Sequence, residues 1–209
     1  MTTTLLQDYQ EKCYPTWCDI HEHLPILLAY TKQCDSVVEC GVRAITSSYA
    51  FAAGLVGTPN NTYSLVDPYK NWQIDPFIAK CKSEGVNATF YHASDLDVPL
   101  IPTDLLFIDT WHVYGHLKRE LNYWNSSVKK FIIMHDTTVD EWHGETIRCN
   151  MDPVQQSKDT GIPIDEITRG LWPAVEEFLQ DHPEWKIDLR LVNNNGLTIL
   201  KRITKKFTT

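Results

Sequence analysis

Ser36-Val-Val-Glu-Cys-Gly-Val-Arg43 decides the fold. Two branched apolar residues lead into an acid, and Gly41 follows where a chain leaving a buried strand has to turn. Beyond it, Tyr49, Ala50, Ala53 and Leu55 recur at the spacing of one helix face. The stretch reads as strand, turn, helix. The unit repeats: Thr62-Tyr-Ser-Leu-Val-Asp67 is a second apolar run ending in an acid, and a helix through Phe77, Ile78 and Cys81 follows until Gly85 stops it. Ala88 to His92 supplies a third strand, Asp104-Leu-Leu-Phe-Ile-Asp109 a fourth and Lys130-Phe-Ile-Ile-Met-His-Asp136 a fifth. Leu117, Leu121 and Trp124 mark the helix between the last two. Continuous apolar runs suit strands covered on both faces, and strands separated by helices form a parallel sheet with right-handed crossovers.

The two ends differ from this pattern. Asp19 is placed to cap a helix through Leu24, Leu27 and Leu28 to Lys32, with Pro25 in its first turns. Residues 1–35 then form a helical appendage or lid, and 36–209 the main domain. Near the other end, a helix through Trp172, Val175, Phe178 and Leu179 precedes two strands, Lys186 to Val192 and Leu197 to Ile203, which flank Asn193-Asn-Asn-Gly196. Asn-Gly between two such runs signals a hairpin. The expected fold is α/β: a mostly parallel seven-stranded sheet, helices on both faces, and a C-terminal antiparallel hairpin. Thr137 to Gly170 shows little helical or strand pattern, and a connection of that length is expected to roof a site.

With 209 residues and 43% hydrophobic content the chain suits one soluble domain. A net charge of -8 argues against a nucleic-acid partner, because the only basic cluster is Lys201, Arg202, Lys205 and Lys206 near the end. No apolar run reaches the length of a bilayer span, and Met1 to Thr4 lacks the regions of a signal peptide. Six cysteines without a C-x-x-C pair suit reduced thiols and a cytoplasmic setting. Cys13, Cys18, His21 and His23 fit no zinc-finger spacing and read as buried thiols and polar helix residues. A homo-oligomer, or a place within a larger multidomain protein, is compatible with all of this.

In open α/β sheets ligands bind beyond the carboxyl ends of the strands. Glu39, Asp67, Asp109 and Asp136 all end apolar runs, so acids line the expected rim. Gly41 stands alone where a nicotinamide cofactor would want G-x-G-x-x-G, since its pyrophosphate packs against the backbone. S-adenosylmethionine (SAM) has no pyrophosphate and needs less. Its methionyl carboxylate could take hydrogen bonds from Ser47, Ser48 or backbone N–H groups of the turn through Gly41 and Arg43, while Glu39 could hold its amine. Asp67 is placed for the ribose hydroxyls. Ser94 and Asp95 fall at the adenine edge, although an ordinary Asx turn explains them equally well.

Val37-Val-Glu-Cys-Gly-Val-Arg, Ser64-Leu-Val-Asp-Pro, Leu105-Leu-Phe-Ile-Asp-Thr-Trp-His and Phe131-Ile-Ile-Met-His-Asp-Thr together resemble class I SAM-dependent methyltransferases, with Rossmann-like topology, from about Asp19 to Arg202. Within that class the chain is similar to the branch of macrocin-type sugar O-methyltransferases and cephalosporin-hydroxylase-like proteins, some of which act on 6-deoxyhexoses such as rhamnose. It also resembles methyltransferase domains in glycan-building proteins of large, chlorovirus-like DNA viruses, which would place it in a host cytoplasm. The resemblance implies methyl transfer to a hydroxyl of a sugar or glycan. It further implies a divalent cation held by an acid after the fourth strand and two adjacent acids after the fifth. Asp109 and Asp136 match, and His135 stands where the relatives have the other acid. Mg²⁺ or Mn²⁺ suits such ligands. Trp111 stands where some relatives carry an acidic base, which makes His112, beside Asp109, the candidate base. Trp111, Trp142 and His143, with Glu141 and Arg148, offer rings and hydrogen bonds to an acceptor. Two alternatives remain open: a methyltransferase acting on another small metabolite, and a catalytically silent Rossmann-like binding module.

Overall fold

A computed structural model describes residues 4–14 and 18–203, so Lys205 and Lys206 lie outside the described residues. The chain begins with α1 (Leu5–Lys12), a 3₁₀ turn (His21–His23) and α2 (Leu24–Thr31). Then come β1 (Ser36–Cys40), α3 (Thr46–Leu55), β2 (Thr62–Asp67), α4 (Ile74–Ser83), β3 (Ala88–His92), β4 (Thr103–Ile108), α5 (Tyr114–Trp124) and β5 (Val128–His135). It finishes with α6 (Glu145–Arg148), α7 (Pro153–Thr160), α8 (Ile164–Thr168), α9 (Trp172–Asp181), β6 (Trp185–Leu191) and β7 (Leu197–Arg202).

The seven strands form one sheet in the order β3-β2-β1-β4-β5-β7-β6. The first five run parallel, and β7 is antiparallel to both β5 and β6. This is the architecture expected from the sequence. The order reverses between β1 and β4, which opens a crevice at their carboxyl ends.

Side chains alternate across each strand and feed two cores. Leu105 and Phe107 of β4 pack with Phe51, Leu55 and Phe77 on one face, where Leu5, Leu24 and Leu27 of the first two helices also lie. Leu106 and Ile108 pack on the other face with Leu121, Trp124 and Val175. All of these side chains are fully or nearly fully buried, each stabilising the fold by about 1.5–3 kcal/mol. Helices α1 and α2 therefore share a core with the sheet. Among the described residues no helix is long and apolar enough to cross a membrane.

Three elements differ from expectation. Helix α1 was not anticipated; Thr4 and Gln7 start it with reciprocal bonds between side chain and backbone. The helix expected from Asp19 begins at Leu24, because Pro25 suits the first turn, where its missing N–H costs nothing. Asp19 does not cap it. The connection from Thr137 to Gly170 holds α6, α7 and α8, of which α7 buries no residue and so shows no apolar stripe. Cys13, Cys18, His21 and His23 form no metal-ligand group.

Candidate active site

The turn after β1 is held in an uncommon conformation. Gly41, Arg43 and Ile45 all have positive φ, at 85°, 38° and 52°, and for a branched residue such as Ile45 this costs about 1–2 kcal/mol. Two contacts fix it. A Cβ on Gly41 would lie 1.9 Å from the Asp109 carbonyl oxygen, so β1 and the end of β4 approach as closely as only glycine permits. The Asp67 carboxylate accepts the N–H groups of Val42 (2.8 Å) and Arg43 (3.0 Å) on one oxygen and that of Tyr69 (2.7 Å) on the other. A carboxylate offers about four acceptor positions, which leaves about one for a ligand.

Around this turn lies a pocket of about 570 Å³, walled by Gly41, Arg43, Asp67, Asp95, Asp109 and Trp111, with Ser94 at its edge. A smaller pocket of about 140 Å³ shares Gly41, Arg43 and Asp109 and is closed by Asp19, Ile20 and Ser47.

Glu39 is not on this rim. Its carboxylate is fully buried and accepts hydrogen bonds from Ser47 Oγ (2.5 Å), Ser48 Oγ (2.8 Å) and the Tyr63 hydroxyl. The alternation of β1 points it, like Val37, toward α3. Burial raises its carboxyl to about 7, against the hydrogen bonds from Ser47, Tyr63 and Ser48. The expected contacts of Glu39 and Ser48 with a cofactor are thus replaced by a tie between β1 and α3. Ser47 borders the smaller pocket, but its hydroxyl belongs to the same tie.

The acids after β4 and β5 do meet. His112 Nε2 stands 3.1 Å from Asp109 Oδ1 and 3.1 Å from Asp136 Oδ2, and its Nδ1 is 3.1 Å from Glu145 Oε2 and 3.4 Å from Asp140 Oδ2. His135 Nδ1 lies 3.7 Å from Asp109 Oδ1 and 3.5 Å from Asp136 Oδ2. Asp136 has φ of +57°, an uncommon conformation for this residue type. Arg148 forks onto buried Asp140 with bonds of 2.7 and 2.8 Å.

Burial alone would discharge these rings. Instead, the hydrogen bond to Asp109 and the nearby carboxylates of Asp140 and Glu145 hold His112 well above its ordinary value, and the Asp109 charge raises His135 to about 10. Both histidines in turn hold Asp109 far below the carboxylate range, although burial opposes it. His112 is therefore not a free base: both of its nitrogens face carboxylates, contrary to the role expected from the sequence. A divalent cation suits this arrangement. Ligand atoms of Asp109, His112 and Asp136 lie within 4.8 Å of one another, His112 Nδ1, His135 Nδ1 and Asp136 Oδ1 are buried with no hydrogen-bond partner, and four carboxylates gather where Arg148 supplies one fixed positive charge.

At the wall of the larger pocket that Asp95 lines, His116 Nε2 lies 3.4 Å from Asp95 Oδ1 and 3.7 Å from Glu120 Oε1, which also accepts the Thr110 hydroxyl at 2.7 Å. Burial and the Asp95 charge push the Glu120 carboxyl well above the usual carboxylate range. Of the residues expected to meet an acceptor, Trp111 borders the pocket. Trp142 and His143 are exposed outside it, Arg148 is engaged by Asp140, and Glu141 is engaged by Arg190 at 2.7 Å. Asp140, Glu145, His116 and Glu120 were not anticipated. Only a carboxylate four residues after Asp136 hinted at the first of them.

No protein-family model matches the sequence, and no curated protein matches it significantly. Solved structures do match. An O-methyltransferase from Bacillus cereus in complex with SAH superposes with a TM-score of 0.58 at 15% identity, covering 95% of this chain and 88% of that one. The SAH-bound methyltransferase PaMTH1 of Podospora anserina gives 0.58 at 12%, over 98% and 89%. The O-methyltransferase TomG of Streptomyces achromogenes, involved in tomaymycin synthesis and solved with SAM, gives 0.56 at 13%, over 98% and 92%. The chain has the Rossmann-like methyltransferase fold.

Proposed function

We propose that the chain is a SAM-dependent O-methyltransferase whose acceptor is a hydroxyl of a sugar or glycan, with 6-deoxyhexoses such as rhamnose favoured, and that it works in the cytoplasm. The observation that carries the donor half is the pocket beyond the β1–β4 crevice, built on the Gly41 turn and the Asp67 staple. Its volume of about 570 Å³ falls within the ordinary range for small-molecule sites. In this reading Asp67 takes a ribose hydroxyl, and Ser94 and Asp95 meet the adenine edge. The methionyl end reaches the smaller pocket, where Arg43 and the turn N–H groups receive its carboxylate. Asp109 borders both pockets and so lies beside the transferred methyl group.

The acceptor half rests on the resemblance to sugar-methylating enzymes and on the acids gathered after β4 and β5. A divalent cation bound by Asp109, His135 and Asp136 would lower the pKa of an acceptor hydroxyl. Glu145 borders the larger pocket and takes the place given to His112 as proton acceptor. Trp111 offers a ring at the pocket wall, and Trp142 and His143 would meet a glycan that extends past the rim.

Calorimetric titration with SAH and with NAD tests the donor, and transfer of labelled methyl from SAM to a panel of deoxysugar glycosides tests the acceptor. Micromolar SAH binding without NAD binding, followed by labelling of a glycoside, is the expected result. Binding of NAD, or of neither ligand, would overturn the reading. Labelling of only a phenol or amine would move it to another metabolite, and SAH binding without transfer to any acceptor would favour a silent module.

A further inference from the structure

Helix α5 carries two groups that the methyl-transfer reading leaves unused. His116 and Glu120 lie one turn apart on it and face Asp95, which follows β3. His116 Nε2 stands 3.4 Å from Asp95 Oδ1 and 3.7 Å from Glu120 Oε1, and one polar atom from each of the three lies within 4.8 Å of the others. The side chains of Asp95 and Glu120 are 7% and 1% exposed. Asp95 Oδ2 and Glu120 Oε2 are buried without a hydrogen-bond partner. Among the described residues no lysine or arginine pairs with either acid, so a single imidazole faces two buried carboxylates.

Two buried carboxylates so near each other repel if both are ionised, and one proton between them turns one acid into a donor and the other into its acceptor. Their surroundings decide which acid keeps it. Asp95 has the richer set of donors, Ser94 Oγ at 3.3 Å and the nearer approach of His116, and it borders the larger pocket. Glu120 is not among the walls of that pocket and has one firm donor, the Thr110 hydroxyl at 2.7 Å. The charges agree: burial and the Asp95 charge raise the Glu120 carboxyl, whereas His116 and Glu120 hold Asp95 below its ordinary value against burial.

We propose that Glu120 keeps this proton and donates it to Asp95, and that Glu120 and His116 are positioning residues which hold Asp95 as an acceptor for the 6-amino group of the donor's adenine. The inference rests on the methyltransferase reading for the identity of the base. It deepens that reading by making α5, and not only the loop after β3, a source of base selectivity. An amino group donates to Asp95, whereas a 6-oxo base sets a second acceptor against it, which is costly in a buried site.

The test combines difference infrared spectroscopy of the full chain with calorimetric titration by SAH and by S-inosylhomocysteine, its 6-oxo analogue. At neutral pH the wild type should show the carbonyl stretch of a buried protonated carboxyl that is lost in E120Q and shifts when SAH binds. Glu39, raised to about 7, contributes a band of its own, so the E120Q difference makes the assignment. The wild type should prefer SAH over the analogue by about tenfold or more. Glu120→Gln, whose amide still donates to Asp95, should keep that preference within about threefold, while E120A should lower SAH affinity about tenfold and analogue affinity far less. A merely structural Glu120 would lower both affinities together. The proposal is overturned if E120Q loses no such band, if it narrows the preference as much as E120A does, if E120A leaves the preference intact, or if the wild type binds Zn²⁺ and E120Q does not, which would make the trio a metal site. Where thermal melts show E120A unfolded, the E120Q spectrum and affinities decide. A band lost in E120Q without any SAH binding is a failure of the methyltransferase reading and not of the shared proton, and SAH binding without the band is the reverse.

Discussion

Replacing Gly41 by Ala tests the contact on which both pockets rest. The added Cβ would stand 1.9 Å from the Asp109 carbonyl oxygen and 2.6 Å from its carbon, at φ of +85°. Both obstacles are backbone, so no side-chain rotation relieves them. To reach 3.0 Å, the shortest separation Cβ atoms ordinarily show, the carbonyl oxygen must retreat by 1.1 Å (3.0 less 1.9). A side chain in the left-handed region costs about 1–2 kcal/mol and overpacking about 1–3 kcal/mol. The total is about 2–5 kcal/mol, which at about 2–4 °C per kcal/mol lowers the melting temperature by roughly 4–20 °C. Because Asp109 borders both pockets, SAH affinity should also fall tenfold or more, about 1.4 kcal/mol. Gly57→Ala is the matched control: φ is +80° there, but nothing lies within 4 Å of the added carbon. It should show only the backbone cost and unchanged SAH binding. Differential scanning calorimetry and isothermal titration read both quantities. A G41A protein that melts within a degree of G57A and binds SAH like the wild type would refute the claim that this approach shapes the site.

Three further outcomes are expected. Asp67→Asn leaves one acceptor oxygen for three backbone N–H groups, which should cost about 1–3 kcal/mol of stability and at least tenfold in SAH affinity by titration; wild-type binding would detach Asp67 from the donor site. Glu39 has a folded carboxyl raised from 4.5 to about 7, so the folded chain keeps a proton that the unfolded chain releases. Its contribution to stability therefore falls by an order of 3 kcal/mol as pH rises from about 4.5 to 7, and urea unfolding should show a wild-type advantage over E39Q that is larger at pH 5 than at pH 8. A pH-independent gap would contradict the burial argument. Glu145→Gln should lower turnover about 10²-fold while SAH affinity stays unchanged; undiminished turnover would remove Glu145 as the proton acceptor.

Strands β1, β2, β4 and β5 were legible because each is largely a run of apolar residues buried on both faces, and burial leaves its mark in composition, whereas the more exposed β6 was marked by the Asn-Gly turn that follows it. Helices α4, α5 and α9 were legible because one face of each is apolar, and α3 because it is apolar and buried nearly all round. Helix α7 has no buried face, so periodicity could not reveal it, yet its stops were in the sequence: Asp152 caps the N–H groups of Val154 and Gln155, Pro153 follows, and Gly161 ends it in the left-handed region. Helix α1 likewise announced itself through Thr4 and Gln7, not through a stripe. Among the acids, Asp67 and Asp109 line the larger pocket and Asp136 lies against His112 beside it. Glu39 is turned away from it, because an acid one residue before the end of a strand faces whichever side the alternation dictates. The surroundings of His112 were out of reach for a different reason: Asp140 and Glu145 come from a later connection, and no local pattern records that a turn of backbone brings Glu145 against a residue 33 positions earlier.

The hairpin turn shows how a local signal can serve a second purpose. Asn194, Asn195 and Gly196 adopt positive φ of 48°, 67° and 98°, a conformation that asparagine and glycine tolerate best. That backbone turns the chain's carbonyls inward. Asn193 and Asn194 offer theirs to buried His23 Nε2 at 3.0 and 3.2 Å, Asn194 offers the same oxygen to His135 Nε2, and Asn195 receives the N–H groups of Thr138 and Val139 at 2.9 and 3.0 Å. Side chains of the turn also reach Asp19 and Glu22 near the start of the chain. A sequence chosen only to reverse two strands would need none of these partners. The turn orients the ring of His135 and anchors the segment that closes the smaller pocket, so the strands added last to the sheet help to set the geometry of a site built on the first five.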